Sequence, residues 1–279
     1  MAMHVALNPP VDLAWTLDRF VRYGNDPANR IEPDGALVRV VVDGAGSPVA
    51  VRVRQAGDGI DVEASAPVDE VVLDRLRRSL GDAWDLDALA PVARREPALA
   101  TAHIGRPPLV LDGFEALVTA ITAQQVSMSA ARGVRARLIA TYGRSVAFAH
   151  AFPRAADLAG VAPDDLRALG LSQRKAEYIT GLASLVAEGV FDPEALHDLD
   201  DEGVIDAICA IRGLGRWTAE WHILRTLGRP DGLPAGDLGV RKMMERLAGE
   251  PLDEAGVRRV GERLRPVRGL ATMLLLRSA

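Results

Sequence analysis

"AICAIRGLGRWTAEWHIL" runs from Ala207 to Leu224, and its reading decides the rest of the chain. Apolar residues recur at helical spacing on both sides of "RGLG", so the stretch reads as two helices joined by a tight turn. A turn this short asks for backbone angles that glycine reaches cheaply, and Gly213 and Gly215 are placed to supply them. With no Cβ at either position, backbone N–H groups at the start of the second helix lie open to an anion such as a phosphate. Spacing alone leaves a plain helical hairpin as the simpler alternative. Further on, "GLPAGDLGVRKMMERL" (Gly232–Leu247) delivers one carboxylate, Asp237, from a Gly/Pro loop to the start of an amphipathic run. Read by itself, Asp237 is the N-cap of a helix carrying Leu238, Met243, Met244 and Leu247. The other reading makes it a reacting group.

Outward from this stretch, residues ~110–279 read as helical throughout. "GFEALVTAITAQQ" carries Phe114, Leu117, Val118 and Ile121 on one face, and "SMSAARGVRARLIATYG" follows, closed by Gly143 in the C-terminal glycine role. Ser172 is placed to cap the helix in "LSQRKAEYITGLASLVAEG", and Pro266 separates two runs near the end. The first ~90 residues differ. A helix is expected from Leu13 to Tyr23, then three strands of a meander in "ALVRVVVDG", "PVAVRVRQAG" and "GIDVEASAP", then a helix in "VDEVVLDRLRRSLG". The fold class is therefore α+β: a small N-terminal antiparallel sheet with helices, followed by an all-α body.

Composition narrows the function classes. The chain has 279 residues and one cysteine, Cys209, which excludes an internal disulfide and a cysteine-rich metal site. No apolar run approaches the roughly 20 residues of a membrane span, and the N-terminus lacks a signal-peptide pattern, so a cytoplasmic protein is expected. The net charge of −5 exerts no overall pull on nucleic acid. Residues 101–150 are net +3 and residues 201–279 net +2, while 1–100 and 151–200 are each net −5. A polyanion would meet the two positive segments, although a mixed surface accounts for the charges equally simply. The histidines (His4, His103, His150, His197, His222) show no metal-ligand spacing, and His222 reads as structural.

"GLGRWTAEW" followed by "LPAGDLGVRK" resembles the hairpin and downstream aspartate of the helix-hairpin-helix DNA glycosylase superfamily, most closely the bacterial 3-methyladenine DNA glycosylase II branch. "FEALVTAITAQQVS" and "LGLSQRKAEYITGLA" occur in the family's order, so the resemblance covers about residues 100–279. It implies three units: an α/β domain over 1–88, a helical domain over 113–230 bearing the hairpin, and a helical domain from 89–112 and 231–279 that completes a cleft. It also implies an enzyme that flips a damaged base out of duplex DNA and hydrolyses its N-glycosidic bond.

The resemblance assigns roles. Asp237 would be the catalytic carboxylate, an anion facing the positive charge that builds on the sugar and an aid to water attack. The cap reading is compatible, because a helix N-terminus favours the ionised form. Trp217 and Trp221, four apart, would line the base pocket and suit a cationic alkylated base; the alternative is that both are core. Bifunctional members carry a Schiff-base lysine where this chain has Trp217, which implies a monofunctional enzyme. Gln125 would fill the gap left by the flipped nucleotide, or else be an exposed helix end, while Gln124 reads as structural. Gly213, Gly215 and Thr218 would present amides to a DNA phosphate. Main-chain carbonyls of Cys209, Ile211 and Gly213 match a monovalent-cation site for Na or K, with the Cys209 side chain a small buried apolar group; no other cofactor is expected. Arg132 and Arg135 are either phosphate contacts or solvated surface.

The sequence departs from the family at Val267, where a tryptophan is usual, and at Leu238, where an aromatic is common. The leading expectation is excision of alkylated purines of the 3-methyladenine type from double-stranded DNA, with an abasic-site endonuclease acting downstream and no membrane partner. Excision of oxidised or deaminated bases is one alternative. A non-catalytic protein that binds damaged DNA is another.

Overall fold

A computed structural model describes residues 3–278 apart from positions 9, 23, 25, 83, 101, 103, 104 and 106–108. His103 and Tyr23 lie outside the described residues. The N-terminal part holds β1 (Met3–Ala6), α1 (Leu13–Arg22), β2 (Asn29–Ile31), β3 (Leu37–Val42), β4 (Pro48–Ala56), β5 (Gly59–Ala64) and α2 (Glu70–Ser79). Two short helices follow, α3 (Leu89–Ala93) and α4 (Pro97–Ala100), then α5 (Gly113–Ala123) and α6 (Met128–Tyr142). A hairpin of β6 (Arg144–Val146) and β7 (Ala149–Ala151) leads into α7 (Ala155–Leu158), α8 (Pro163–Ala168), α9 (Gln173–Ala187), α10 (Asp201–Cys209) and α11 (Arg216–Arg225). The chain ends in α12 (Leu238–Ala248), α13 (Glu254–Gly261) and α14 (Arg268–Ser278).

The expected meander is β3, β4 and β5, and it forms the centre of an antiparallel sheet ordered β1-β5-β4-β3-β2. Alternation explains its two faces. Val49, Val51 and Val53 point into a core shared with Leu13, Leu17 and Phe20 of α1 and with Val72 and Leu76 of α2. The other face is covered as well. Val38 and Ala50 pack on Ala149 of the β6–β7 hairpin, and the Arg52 guanidinium lies 4.8 Å from the Phe148 ring. That hairpin interrupts the helical body, and the sequence reading did not separate it from the helices around it. Its presence also changes the role of Gly143. This residue ends α6 in an extended conformation (φ −72), and a Cβ there would lie 2.4 Å from the Ala151 carbonyl oxygen. Close approach of β7, not a left-handed turn, demands the glycine.

Two helical cores meet at α11. One gathers Leu117, Val118 and Ile121 of α5, Leu138 of α6, Ile179 and Leu182 of α9, Ile208 of α10, and Ala219 and Ile223 of α11. The other gathers Met243 and Met244 of α12, Val257 of α13, Leu270 and Leu274 of α14, Trp84 and Leu89, with Trp221 and Leu224 of α11. Every residue from 218 to 224 is buried, so α11 is packed on all sides and serves as a fixed rail between the two cores.

Candidate active site

The hairpin is formed by α10, the turn and α11. Asp200 starts α10 by accepting from the Gly203 N–H at 2.8 Å. In the turn the two glycines differ. Gly213 adopts φ +90, and a Cβ there would lie 2.2 Å from the Tyr178 ring, so both conformation and packing require glycine. Gly215 is extended (φ −146), caps α11, and has no heavy atom within 4 Å of where a Cβ would be. What its small size preserves is open space in front of the helix N-terminus. Thr218 behaves otherwise: it is buried, and its amide already donates to the Gly215 carbonyl at 2.8 Å. It therefore belongs to the hairpin's frame and does not offer an amide outward.

Gln124 links this turn to the α5–α6 junction. Its Nε2 donates to the Gly213 carbonyl at 2.9 Å, while Lys175 Nζ donates to the Thr122 carbonyl at 3.0 Å. Ser127 then starts α6 by accepting from the Ala130 N–H. Between these ties Gln125 is exposed and takes φ +54, a left-handed conformation that is strained for a side-chain-bearing residue. The junction thus holds Gln125 outward at the same edge as the hairpin turn.

Asp237 begins α12 as the sequence suggested. Its Oδ1 accepts from the backbone N–H groups of Gly239 (2.8 Å) and Val240 (3.1 Å). Its Oδ2 accepts from Trp217 Nε1 (2.9 Å) and Trp221 Nε1 (3.2 Å), one turn apart on α11. The loop that carries it is anchored at its base. Asp231 pairs with Arg265 and Arg268, each at 2.8 Å, and the Pro230 carbonyl accepts from Gly269 and Leu270 at the start of α14. Asp237 itself stays half-buried beside the exposed Leu238.

Arg225, one turn beyond Trp221, was not singled out from sequence, although its i+4 spacing on the same face was the available signal. Its guanidinium lies 3.7 Å from the centre of the Trp221 ring. Burial pulls it down to about 10, against an upward pull from Asp237. Trp221 is buried beneath it, whereas Trp217 is only partly buried at the edge of the core.

Several other expectations fall differently. Arg132 and Arg135 are neither phosphate contacts nor solvated surface; both are buried. Arg135 donates to Asp26 at 2.9 Å and also engages Glu115, and Arg132 reaches Asp26 at 3.4 Å. Charges on one helix had no visible partner in sequence, because Asp26 arrives from the distant loop between α1 and β2. Burial opposes ionisation of Asp26, but Arg135 and Arg132 outweigh it and hold the carboxyl below its usual range. Cys209 is exposed, not buried, because it lies on the outer side of α10. Val267 is fully buried in the core around α12–α14 and does not reach an open surface. His222 is structural as expected: burial, with His197 nearby, pulls it down to about 3, so it is neutral.

For the cation site, the carbonyls of Cys209, Ile211 and Gly213 are all hard oxygen donors. The Gly213 carbonyl accepts from Gln124 and that of Ile211 from the Leu214 N–H, which leaves each a second lone pair. The donor chemistry fits a monovalent cation. Among the described residues no group of three His, Cys, Asp or Glu side chains could hold a metal, and no helix is long and apolar enough to cross a membrane.

An antiparallel sheet, two helical cores and a carboxylate held against the second helix of a glycine-turn hairpin make up this arrangement. The chain belongs to the HhH-GPD superfamily of base excision DNA repair proteins, whose model matches residues 118–269. It is 28% identical over 254 residues, 87% of this chain and 86% of the other, to a Bacillus subtilis (strain 168) protein named as a DNA-3-methyladenine glycosylase. A Mycobacterium tuberculosis (strain H37Rv) protein, named as a bifunctional transcriptional activator/DNA repair enzyme, is 35% identical over 71% of this chain and 40% of its own length. The structure superposes on the 3-methyladenine DNA-glycosylase from Archaeoglobus fulgidus with a TM-score of 0.86 and 27% identity, covering 98% of this chain and 97% of that one.

Proposed function

We propose that this protein is a monofunctional DNA N-glycosylase that excises alkylated purines of the 3-methyladenine type from duplex DNA in base excision repair. The observation that carries the reading is Asp237. It is a half-buried carboxylate whose hydrogen-bond donors among the described residues are neutral N–H groups, so its negative charge is held in place without a hydrogen-bonded cation. Breaking the C1′–N bond leaves positive charge on the sugar, and a fixed anion beside it lowers that barrier. The four N–H donors occupy the roughly four lone-pair positions of the carboxylate, which favours the work of a fixed charge over that of a proton acceptor. An N3-alkylated adenine departs as a neutral base without being protonated, and water adds to the sugar carbon, releasing one proton to solvent.

Trp217 supports the monofunctional reading. Its indole nitrogen donates a hydrogen bond to Asp237 and has no basic lone pair with which to form a Schiff base. Trp217 is only partly buried, and its ring is suited to a cationic base by stacking and cation–π attraction. Gln125 fills the gap in the duplex, and the open N-terminus of α11 at Gly213 and Gly215 takes a phosphate. The carbonyls of Cys209, Ile211 and Gly213 would hold a Na or K ion that adds positive charge beside that phosphate. The abasic site is left for a separate endonuclease, and a cytoplasmic location follows for such an enzyme.

The test is the purified protein on duplexes that each carry one defined lesion, with and without later alkali. The reading expects alkali-dependent breaks at alkylated purines and none before alkali. Release only from oxidised or deaminated bases, or tight binding without release, would overturn it.

A further inference from the structure

Trp217 and Trp221 make the same hydrogen bond but do not offer the same surface. Both indole N–H groups converge on Asp237 Oδ2, at 2.9 and 3.2 Å. The other oxygen is fixed by the start of α12. A carboxylate held from two elements at once cannot rotate about its own axis without losing bonds on one side or the other. Both rings ride on α11, the helix packed on all sides, so the donors themselves are rigidly placed. The ring faces differ, however. Arg225 stacks on Trp221 at 3.7 Å and the ring is buried, so a base stacking there would have to displace a guanidinium. Trp217 is only partly buried, and no guanidinium lies over its ring among the described residues.

We propose that Trp217 and Trp221 are positioning residues that aim Asp237 through their N–H groups, and that the flipped base meets Trp217 alone, Trp221 being closed off by Arg225. This rests on the reading of Asp237 as the catalytic anion. The two tryptophans thereby divide the tasks that their spacing made look equivalent. Trp221 holds the carboxylate from within the core, and Trp217 holds it from the cleft edge while presenting its ring.

The test separates the N–H from the ring. Trp221→Phe keeps an apolar ring and removes the donor. At position 217, a benzothienyl analogue of tryptophan keeps the bicyclic shape and replaces the N–H with sulfur. 7-Azatryptophan at the same position keeps the N–H. Single-turnover excision and duplex affinity are measured for each on one alkylated-purine duplex. A hydrogen bond to a charged group is strong enough that losing it should slow excision roughly tenfold or more at either position. Affinity should hold within about threefold, and 7-azatryptophan should restore most of the rate. Trp217→Ala should also weaken affinity, whereas Trp221→Phe should not. Full excision rates for the benzothienyl and Trp221→Phe proteins would overturn the inference, as would a loss of affinity in Trp221→Phe with its rate intact. Asp237→Asn serves as the separate control. If it excises normally, the reading of Asp237 fails; if it is inactive while the N–H-less variants run at full rate, only the positioning role fails. Should Trp221→Phe prove unstable, the isosteric pair at 217 still decides.

Discussion

Asp26 and Asp237 each accept hydrogen bonds from several donors, yet they sit in opposite electrical settings. Asp26 is buried and takes the Asn29 N–H at 2.8 Å together with the guanidinium groups of Arg135 and Arg132. Its charge is cancelled where it stands. Asp237 is half-buried, and every group that donates to it among the described residues is a neutral N–H. Arg225 acts on it from nearby, but this guanidinium is stacked on Trp221 and, among the described residues, makes no hydrogen bond to it. The contrast separates two uses of one side chain. A neutralised, buried carboxylate ties the α1–β2 loop to α6, whereas a carboxylate held by neutral donors keeps charge available for a reaction.

The buried cluster around Asp26 carries the largest stability effect. Arg135→Met leaves Asp26 and Glu115 as buried, half-unpaired charges and should cost about 3–5 kcal/mol of unfolding free energy. Denaturant unfolding measures the loss, and excision per folded molecule should be unchanged. A large drop in that per-molecule rate would mean that the two aspartates are not functionally separate.

The glycines of the hairpin give a smaller contrast of the same kind. Gly213→Ala must place a Cβ at φ +90 against Tyr178 and should destabilise by about 1–3 kcal/mol. Gly215→Ala, extended and facing open space, should leave the melting temperature nearly unchanged but weaken duplex binding and lower its salt dependence. Equal effects of both substitutions on stability would remove the distinction drawn between frame and opening.

The smallest effect concerns acid. Because Arg135 and Arg132 hold Asp26 below its usual range against the cost of burial, its contribution is fully present above the ordinary carboxylate value of about 4. It is lost as pH falls through the lower folded value. Stability measured across this range should fall less steeply in Asp26→Asn than in the parent, from a lower starting level.

Much of this was readable in the sequence because local patterns carried it. Alternating valines marked β3–β5, and Gly213, Ser172 and Asp237 each announce a turn or cap through their own chemistry. The short strands β1, β2 and β6–β7 were not readable, since three or four residues carry little periodicity, and β1 pairs only with the distant β5. Arg132 and Arg135 misled for the same reason: their partner Asp26 is more than a hundred residues away. At the site, spacing placed Trp217 and Trp221 on one face but could not show that both N–H groups meet one oxygen, or that Arg225 covers one ring. The first depends on how the loop of residues 226–237 returns across α11, and the second on which side-chain rotamer Arg225 takes over its i−4 neighbour.

Asp237 as the reacting anion is tested most directly by single-turnover excision of one alkylated purine from a duplex by Asp237→Asn. Asparagine also caps helices well, so the protein should fold and still bind the duplex. Excision should fall by about 10²–10³-fold, on the scale seen when a transition-state charge loses its partner. A folded Asp237→Asn protein that excises at the parent's rate would contradict the claim.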